Sequence, residues 1–443
     1  VKVIKWSGLL GLAAFLASCL FGGGPYTVGG TVTGLQGTGL VLQNSSGKYL
    51  TVAASGSFTF ATGLENGATY SVTVRTPPSN PTQTCTVTDG TGTIDKASVN
   101  NVLVTCTQAA RFAYVANQAA NTISAYAIEA DGGLVPIVGS PYQSSGLAPI
   151  ALTVDPNGTY LYVADNSSNA VSAYSIDQTI GTTTSGSLTP TGELIATGSG
   201  PMAIAIDPTD TYMYVANVND NTVSAYTLSS GTATEISGSP YAVGHEPSAL
   251  KTNPTGTYLY VSNFTDGTVS ALAIDTTTGQ LSAVSGQPYA AAVGALSIAI
   301  DAQGQFLYSA NDTAASISAY TITSTTGQLA AAPGSPLATG SGPQSVVVDP
   351  SSKYLYAANA PSSNTIGTYG ITPVTGALTL LSTVGAGTLP VSVAVDNTGA
   401  FVYAANYTSG TVSVYSVDTS TGALTQVGSP VAAGAGARSI AVE

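Results

Sequence analysis

Tyr114-Val115-Ala116-Asn117 decides the fold, because the same four-residue pattern returns six more times along the chain. The copies are Tyr162-Val163-Ala164-Asp165, Tyr214-Val215-Ala216-Asn217, Tyr260-Val261-Ser262-Asn263, Tyr308-Ser309-Ala310-Asn311, Tyr356-Ala357-Ala358-Asn359 and Tyr403-Ala404-Ala405-Asn406. Their period of roughly 46–52 residues falls in the range of propeller blades, and seven copies predict seven blades.

Around each copy the chain repeats one script. In the third it runs Pro201-Met202-Ala203-Ile204-Ala205-Ile206-Asp207, a turn at Pro208-Thr209-Asp210, the Tyr212 to Asn217 run, then Asn221-Thr222-Val223-Ser224-Ala225-Tyr226. Every run alternates with period two and none has helical spacing, so each unit reads as four strands. The turn Asp155-Pro156-Asn157-Gly158 supplies a proline with fixed φ and a glycine for positive φ. On the innermost strand Ala203 and Ala205 share the face opposite Ile204 and Ile206, so small meets large where blades converge. The first copy opens at Phe112 without an inner strand, and Ala437-Arg438-Ser439-Ile440-Ala441-Val442 is an inner strand without a successor. Pairing of residues 437–442 with the first blade is the expected closure of a propeller over residues 111–443, and it removes an open edge.

Upstream the pattern changes. Lys2 and Lys5 precede an apolar run that ends in Leu16-Ala17-Ser18-Cys19. Residues 1–18 therefore read as an export signal, too short to span a membrane. The last four residues resemble a bacterial lipobox, which implies lipidation of Cys19 and a Gly-rich tether over residues 19–26. Residues 27–108 hold short alternating runs such as Tyr70-Ser71-Val72-Thr73-Val74, expected to form a small β-sandwich that resembles Ig-like modules. Setting Cys19 aside leaves Cys85 and Cys106, an even pair expected to form a disulfide in an oxidising compartment. The expected location is the bacterial cell envelope, at the outer membrane or cell surface. The expected fold class is thus all-β, a seven-bladed propeller behind a sandwich spacer.

The net charge is −13 and the few cations are scattered, so no basic stripe exists for nucleic acid, and membrane attachment is expected through the lipid alone. A monomer is expected. One histidine in the whole chain leaves no His-based acid/base pair or multi-histidine metal site, and neither metal nor cofactor is expected.

The Tyr-Val-Ala-Asn strand, the Asn-Thr-Val-Ser-Ala-Tyr strand and the Thr421-Gly422-Ala423-Leu424 turn resemble YVTN-type repeats and the wider lactonase-like seven-bladed propellers. That resemblance implies Pro-Arg-His at the start of inner strands in the enzymes. Here Ala437-Arg438-Ser439 keeps only the arginine, while Pro201-Met202-Ala203 and Pro343-Gln344-Ser345 keep neither charge. The expectation is accordingly a non-enzymatic binding or scaffold module for a protein, glycan or small ligand, with a lactonase-like hydrolase as the alternative. Departures from the repeat pick out His245, Glu246, Lys251 and Arg438 as one candidate ligand cluster. The plainer reading pairs Glu246 with Lys251 and Arg438 with Glu443, leaving His245 in solvent.

Overall fold

The computed structural model describes residues 25–35, 38–78, 83–108, 111–179, 182–192 and 194–443. The expected export signal over residues 1–18 and the expected lipidation site Cys19 lie outside the described residues. The chain divides into two compact units, Val1–Ala109 and Ala110–Glu443.

In the first unit two four-stranded sheets share one apolar core that includes Val32, Leu42, Phe58, Val72 and Val104. One sheet runs Gly56–Thr59, Val28–Thr33, Val99–Gln108, Gln83–Thr88; the other runs Tyr49–Val52, Leu40–Asn44, Thr69–Thr76, Thr91–Thr93. Cys85 and Cys106 face each other across the last pair of the first sheet and are joined as a disulfide.

The second unit is a seven-bladed β-propeller. Its third blade lays Pro201–Ile206, Tyr212–Asn217, Thr222–Ser229 and Thr232–Glu235 side by side in chain order. The inner strands of blades 2 and 4 to 7 are Pro149–Val154, Pro247–Thr252, Ala295–Ile300, Pro343–Val348 and Pro390–Val395. In blade 1 the inner strand is Ala437–Val442, which pairs antiparallel with Phe112–Asn117 in the register Ile440 to Val115. Each inner strand packs on the next all the way round, so a ring of seven encloses an axial channel.

The repeated tyrosine holds neighbouring blades together. Tyr114, Tyr214, Tyr260, Tyr308 and Tyr403 are buried, and each donates its hydroxyl to a glycine carbonyl in the outer hairpin of the following blade. The O···O distances run from 3.0 Å for Tyr114 to Gly186 to 3.2 Å for Tyr403 to Gly132, the latter joining blade 7 to blade 1. Those glycines adopt positive φ, and a Cβ on Gly279 would lie 2.4 Å from the Tyr212 ring, so both conformation and contact require glycine there. A second tyrosine reaches the other way: Tyr226, Tyr320 and Tyr415 donate to Ala196, Ala290 and Gly385 of the preceding blade.

One ion pair reinforces the junction between first and last blades. Arg111, just ahead of Phe112–Asn117, lies 2.6 Å from Asp396 of blade 7, with the two side chains 9% and 0% exposed. Asp396 also accepts the backbone N–H of Phe401, as the equivalent aspartates do in their own blades. Removing one partner of a buried pair strands the other charge, so Arg111→Ala is expected to destabilise the propeller by about 3–5 kcal/mol. Arg75→Ala, which removes only a cation stacked on the Tyr49 ring of the first unit, is expected to cost about 1 kcal/mol or less. Calorimetry of the two variants checks this, and a small effect of Arg111→Ala on the propeller transition would count against the closing role of the pair.

Candidate active site at the channel mouth

Inner strands all start at the same end of the channel, and their second and third residues ring its mouth. The mouth encloses a cavity of about 150 Å³ lined by Met202, Ser248, Gln344, Ser345, Ser392 and Arg438, among others. That is below the ~300–1,000 Å³ of most ligand pockets. It suits the reacting end of a small molecule whose remainder lies in the open rim.

Arg438 is the second residue of the blade 1 inner strand. Burial lowers the pKa of its guanidinium, yet such a group stays charged. Among the described residues it has no carboxylate within ion-pair distance. Across the mouth, Gln344 occupies the same position in blade 6 and donates from Nε2 to Asp312 Oδ1 at 2.6 Å. Asp312 follows Asn311 at the end of the second strand of blade 5, where other blades place Gln118, Asn166, Val218, Phe264, Ala360 and Tyr407. Burial raises the Asp312 carboxyl above the usual range, partly offset by the bond from Gln344. Room for the carboxylate comes from Gly342, where a Cβ would stand 2.2 Å from Asp312 Oδ1. The mouth therefore presents a fixed cation, and behind its lining residue Gln344 lies a carboxylate biased toward accepting a proton.

The four side chains singled out by the repeat do not form one cluster. His245 and Glu246 sit on the exposed rim of blade 4, at the Arg438 end. His245 Nδ1 lies 2.9 Å from Asp266 Oδ1, and its backbone N–H donates to Asp266 Oδ2 at 2.8 Å. Those contacts, the backbone one foremost, hold the Asp266 carboxyl below the ordinary range. Glu246 accepts a hydrogen bond from the Thr265 hydroxyl. Lys251 is the fifth residue of its strand and opens into a separate cavity of about 500 Å³ in the interior half of the channel. Three residues along a strand span about 10 Å, which puts Lys251 out of reach of the mouth. Neither Glu246 with Lys251 nor Arg438 with Glu443 forms an ion pair among the described residues. Asp312 and Gln344 were not among the sequence candidates, although the comparison of repeats that exposes Lys251 also exposes Asp312 as the one carboxylate at its position.

Fold and mouth together define a seven-bladed propeller with a charged, partly buried site at one end of its axis. The family described as "Lactonase, 7-bladed beta-propeller" matches residues 81–193, 182–338, 284–387 and 331–440, and the chain belongs to that family. Among solved structures, a protein of Bacteroides uniformis assigned as a 6-phosphogluconolactonase superposes with a TM-score of 0.67 at 17% identity, covering 76% of this chain and 100% of that one. A periplasmic gluconolactonase of Pseudomonas aeruginosa gives a TM-score of 0.64 at 17% identity over 75% and 98% of the two chains. A Lactobacillus plantarum protein gives 0.64 at 19% identity over 75% and 99%. No curated protein matches the chain.

Family membership corrects the expectation of a non-enzymatic scaffold, and with it the leaning against an enzyme. The error was to equate one missing Pro-Arg-His pattern and a shortage of histidine with a shortage of catalytic groups. Opening an ester needs a proton acceptor and an electrophile, and a carboxylate with an arginine supplies both.

An unpaired buried guanidinium opposes folding, so Arg438→Met is expected to melt at or above the temperature of the parent protein. A large fall in Tm would show that Arg438 is held for stability and not for a ligand.

Proposed function

We propose that the chain is an exported hydrolase that opens a small lactone at the Arg438 mouth. The family match supports hydrolysis, and the observation that carries the site is a half-buried cation without a carboxylate partner, Arg438, on the same lining as Gln344, which is bonded to the raised carboxyl of Asp312. In this reading Asp312 takes a proton from water as the water oxygen adds to the lactone carbonyl carbon. The resulting oxyanion lies against Arg438, whose donors are in place before charge develops. Collapse breaks the bond from that carbon to the ring oxygen, which recovers the proton and leaves a hydroxy acid. Gln344 holds Asp312 toward the cavity.

The first unit fits a role as an Ig-like sandwich spacer between a lipidated Cys19 and the propeller. In that arrangement residues 1–18 direct export, residues 19–26 act as a tether, and the membrane is engaged only through the lipid.

The test is a hydrolysis screen of five- and six-membered sugar lactones. Arg438→Met and Asp312→Asn are each expected to lower kcat/KM by about a hundred-fold or more. Asp312 works as a base only when ionised, so the rate is expected to fall as pH drops through a limb above the ordinary carboxylate range, and the limb should vanish in Asp312→Asn. Turnover unchanged in both variants would remove the mouth from the reaction.

A further inference from the structure

The interior half of the channel carries a second cation that the mouth does not use. Lys251 projects from the middle of the seven-stranded ring, at a position filled elsewhere by Thr153, Ala205, Ala299, Val347, Ala394 and Ala441. Its side chain is exposed to solvent within the lumen, and the surrounding protein lowers the pKa of its ammonium. Among the described residues it has neither a hydrogen-bond acceptor nor a carboxylate partner.

A second asymmetry surrounds it. The third residue of the inner strand is serine in blades 5, 6, 7 and 1 and alanine in blades 2, 3 and 4. Ser297, Ser345 and Ser392 each accept the backbone N–H of the next inner strand, from Val346, Val393 and Ile440, all at 3.2 Å. Those N–H groups point away from their own second strand. Ile204, Leu250 and Ile298 stand in the same register, but the preceding third residues are Ala151, Ala203 and Ala249, which carry no acceptor. Among the described residues the N–H of Leu152, which follows Ser439, likewise has no side-chain acceptor, so this group is uncapped in the inner strands of blades 2 to 5, the strand of Lys251 among them.

We propose that this half of the channel is a carboxylate-binding site centred on Lys251 Nζ and assisted by the backbone N–H groups of Leu250 and Ile298, which line the same cavity. A single ammonium with backbone donors matches one carboxylate, whereas a phosphate dianion calls for a second cation that the lining lacks. The cavity of about 500 Å³ is within the size range of small-molecule sites, and hydroxyls of Thr153, Ser297 and Ser345 line it for a polyhydroxylated body. The occupant it fits is a small hydroxy acid. Assigning that acid as the product of the mouth rests on the lactone-opening reading; the site itself does not. Ser297 and Ser345 line both cavities, so a hydroxy acid formed at Arg438 has a continuous path to Lys251.

Calorimetric titration with gluconate, and with glucitol as its uncharged counterpart, tests the site without any turnover. The parent protein is expected to bind gluconate and not glucitol. Lys251→Met should weaken binding by about ten-fold or more, Lys251→Arg should retain it, and Arg438→Met should leave it unchanged. Equal binding by Lys251→Met, equal binding of glucitol, tighter binding of inorganic phosphate, or loss confined to Arg438→Met would each overturn the proposal, as would no binding by the parent. Melting of Lys251→Met, expected at or above the parent, separates a loss of binding from unfolding. If lactones are not hydrolysed while Lys251-dependent gluconate binding persists, the mouth reading fails and this site stands. Hydrolysis at the mouth without Lys251-dependent binding keeps the mouth and removes this site.

Discussion

The hydrogen bond from a buried tyrosine of one blade to a glycine carbonyl of the next is the contact on which the architecture depends. A single bond of this kind contributes only about 1 kcal/mol net. Its structural weight comes from what it would cost to leave a phenol buried without a partner, and from the glycine that must be present for the turn to approach the ring. Repetition turns that local requirement into a global one. In blade 3 the tyrosine of the second strand reaches forward and that of the third reaches back, which fixes the blade in angle against both neighbours. The inner strands have no freedom left in where they stand, and the channel is a consequence.

Such a scaffold is symmetric by construction, so chemistry can enter only where one blade differs from the rest. Arg438, Gln344 and Asp312 break the symmetry at the mouth, and Lys251 breaks it inside. Both cations among them stand without a carboxylate partner among the described residues, at positions that other blades fill with uncharged side chains. The propeller tolerates them because its stability is spread over seven nearly equal interfaces, none of which passes through the lumen. Separation of stability from chemistry in this way lets the axial residues be set by what they bind.

The sequence makes the repeat fully legible, because the tyrosine, the asparagine and the turn glycine are each fixed by a contact that recurs from blade to blade. Asn117, Asn217 and Asn311 bond the same pair of downstream hydroxyls, so their identity is enforced again and again. The site is far less legible. Lys251 and Arg438 look alike as departures from the repeat, but their fifth and second positions on the strand place them in different cavities, a distinction that appears only once strand direction is tied to the axis. Asp312 was hidden for another reason: it lies just past the strand, and its turn toward the mouth depends on space left by Gly342 in the next blade. Histidine count was a poor guide to family, and burial alone moves the Asp312 carboxyl upward without any histidine.

Charge gives the channel a direction. The chain as a whole carries −13, so a hydroxy acid anion outside it meets repulsion, while an uncharged lactone does not. The two cavities along the ring are lined by Arg438 and Lys251 with no carboxylate among their lining residues. Salt screens the exterior field over about 8–10 Å and reaches the enclosed charges much less. In the proposed lactone opening a neutral substrate would approach without this repulsion, and its ring opening would create an anion that the surface rejects. That anion would then be held at Lys251, which would free Arg438 for the next oxyanion.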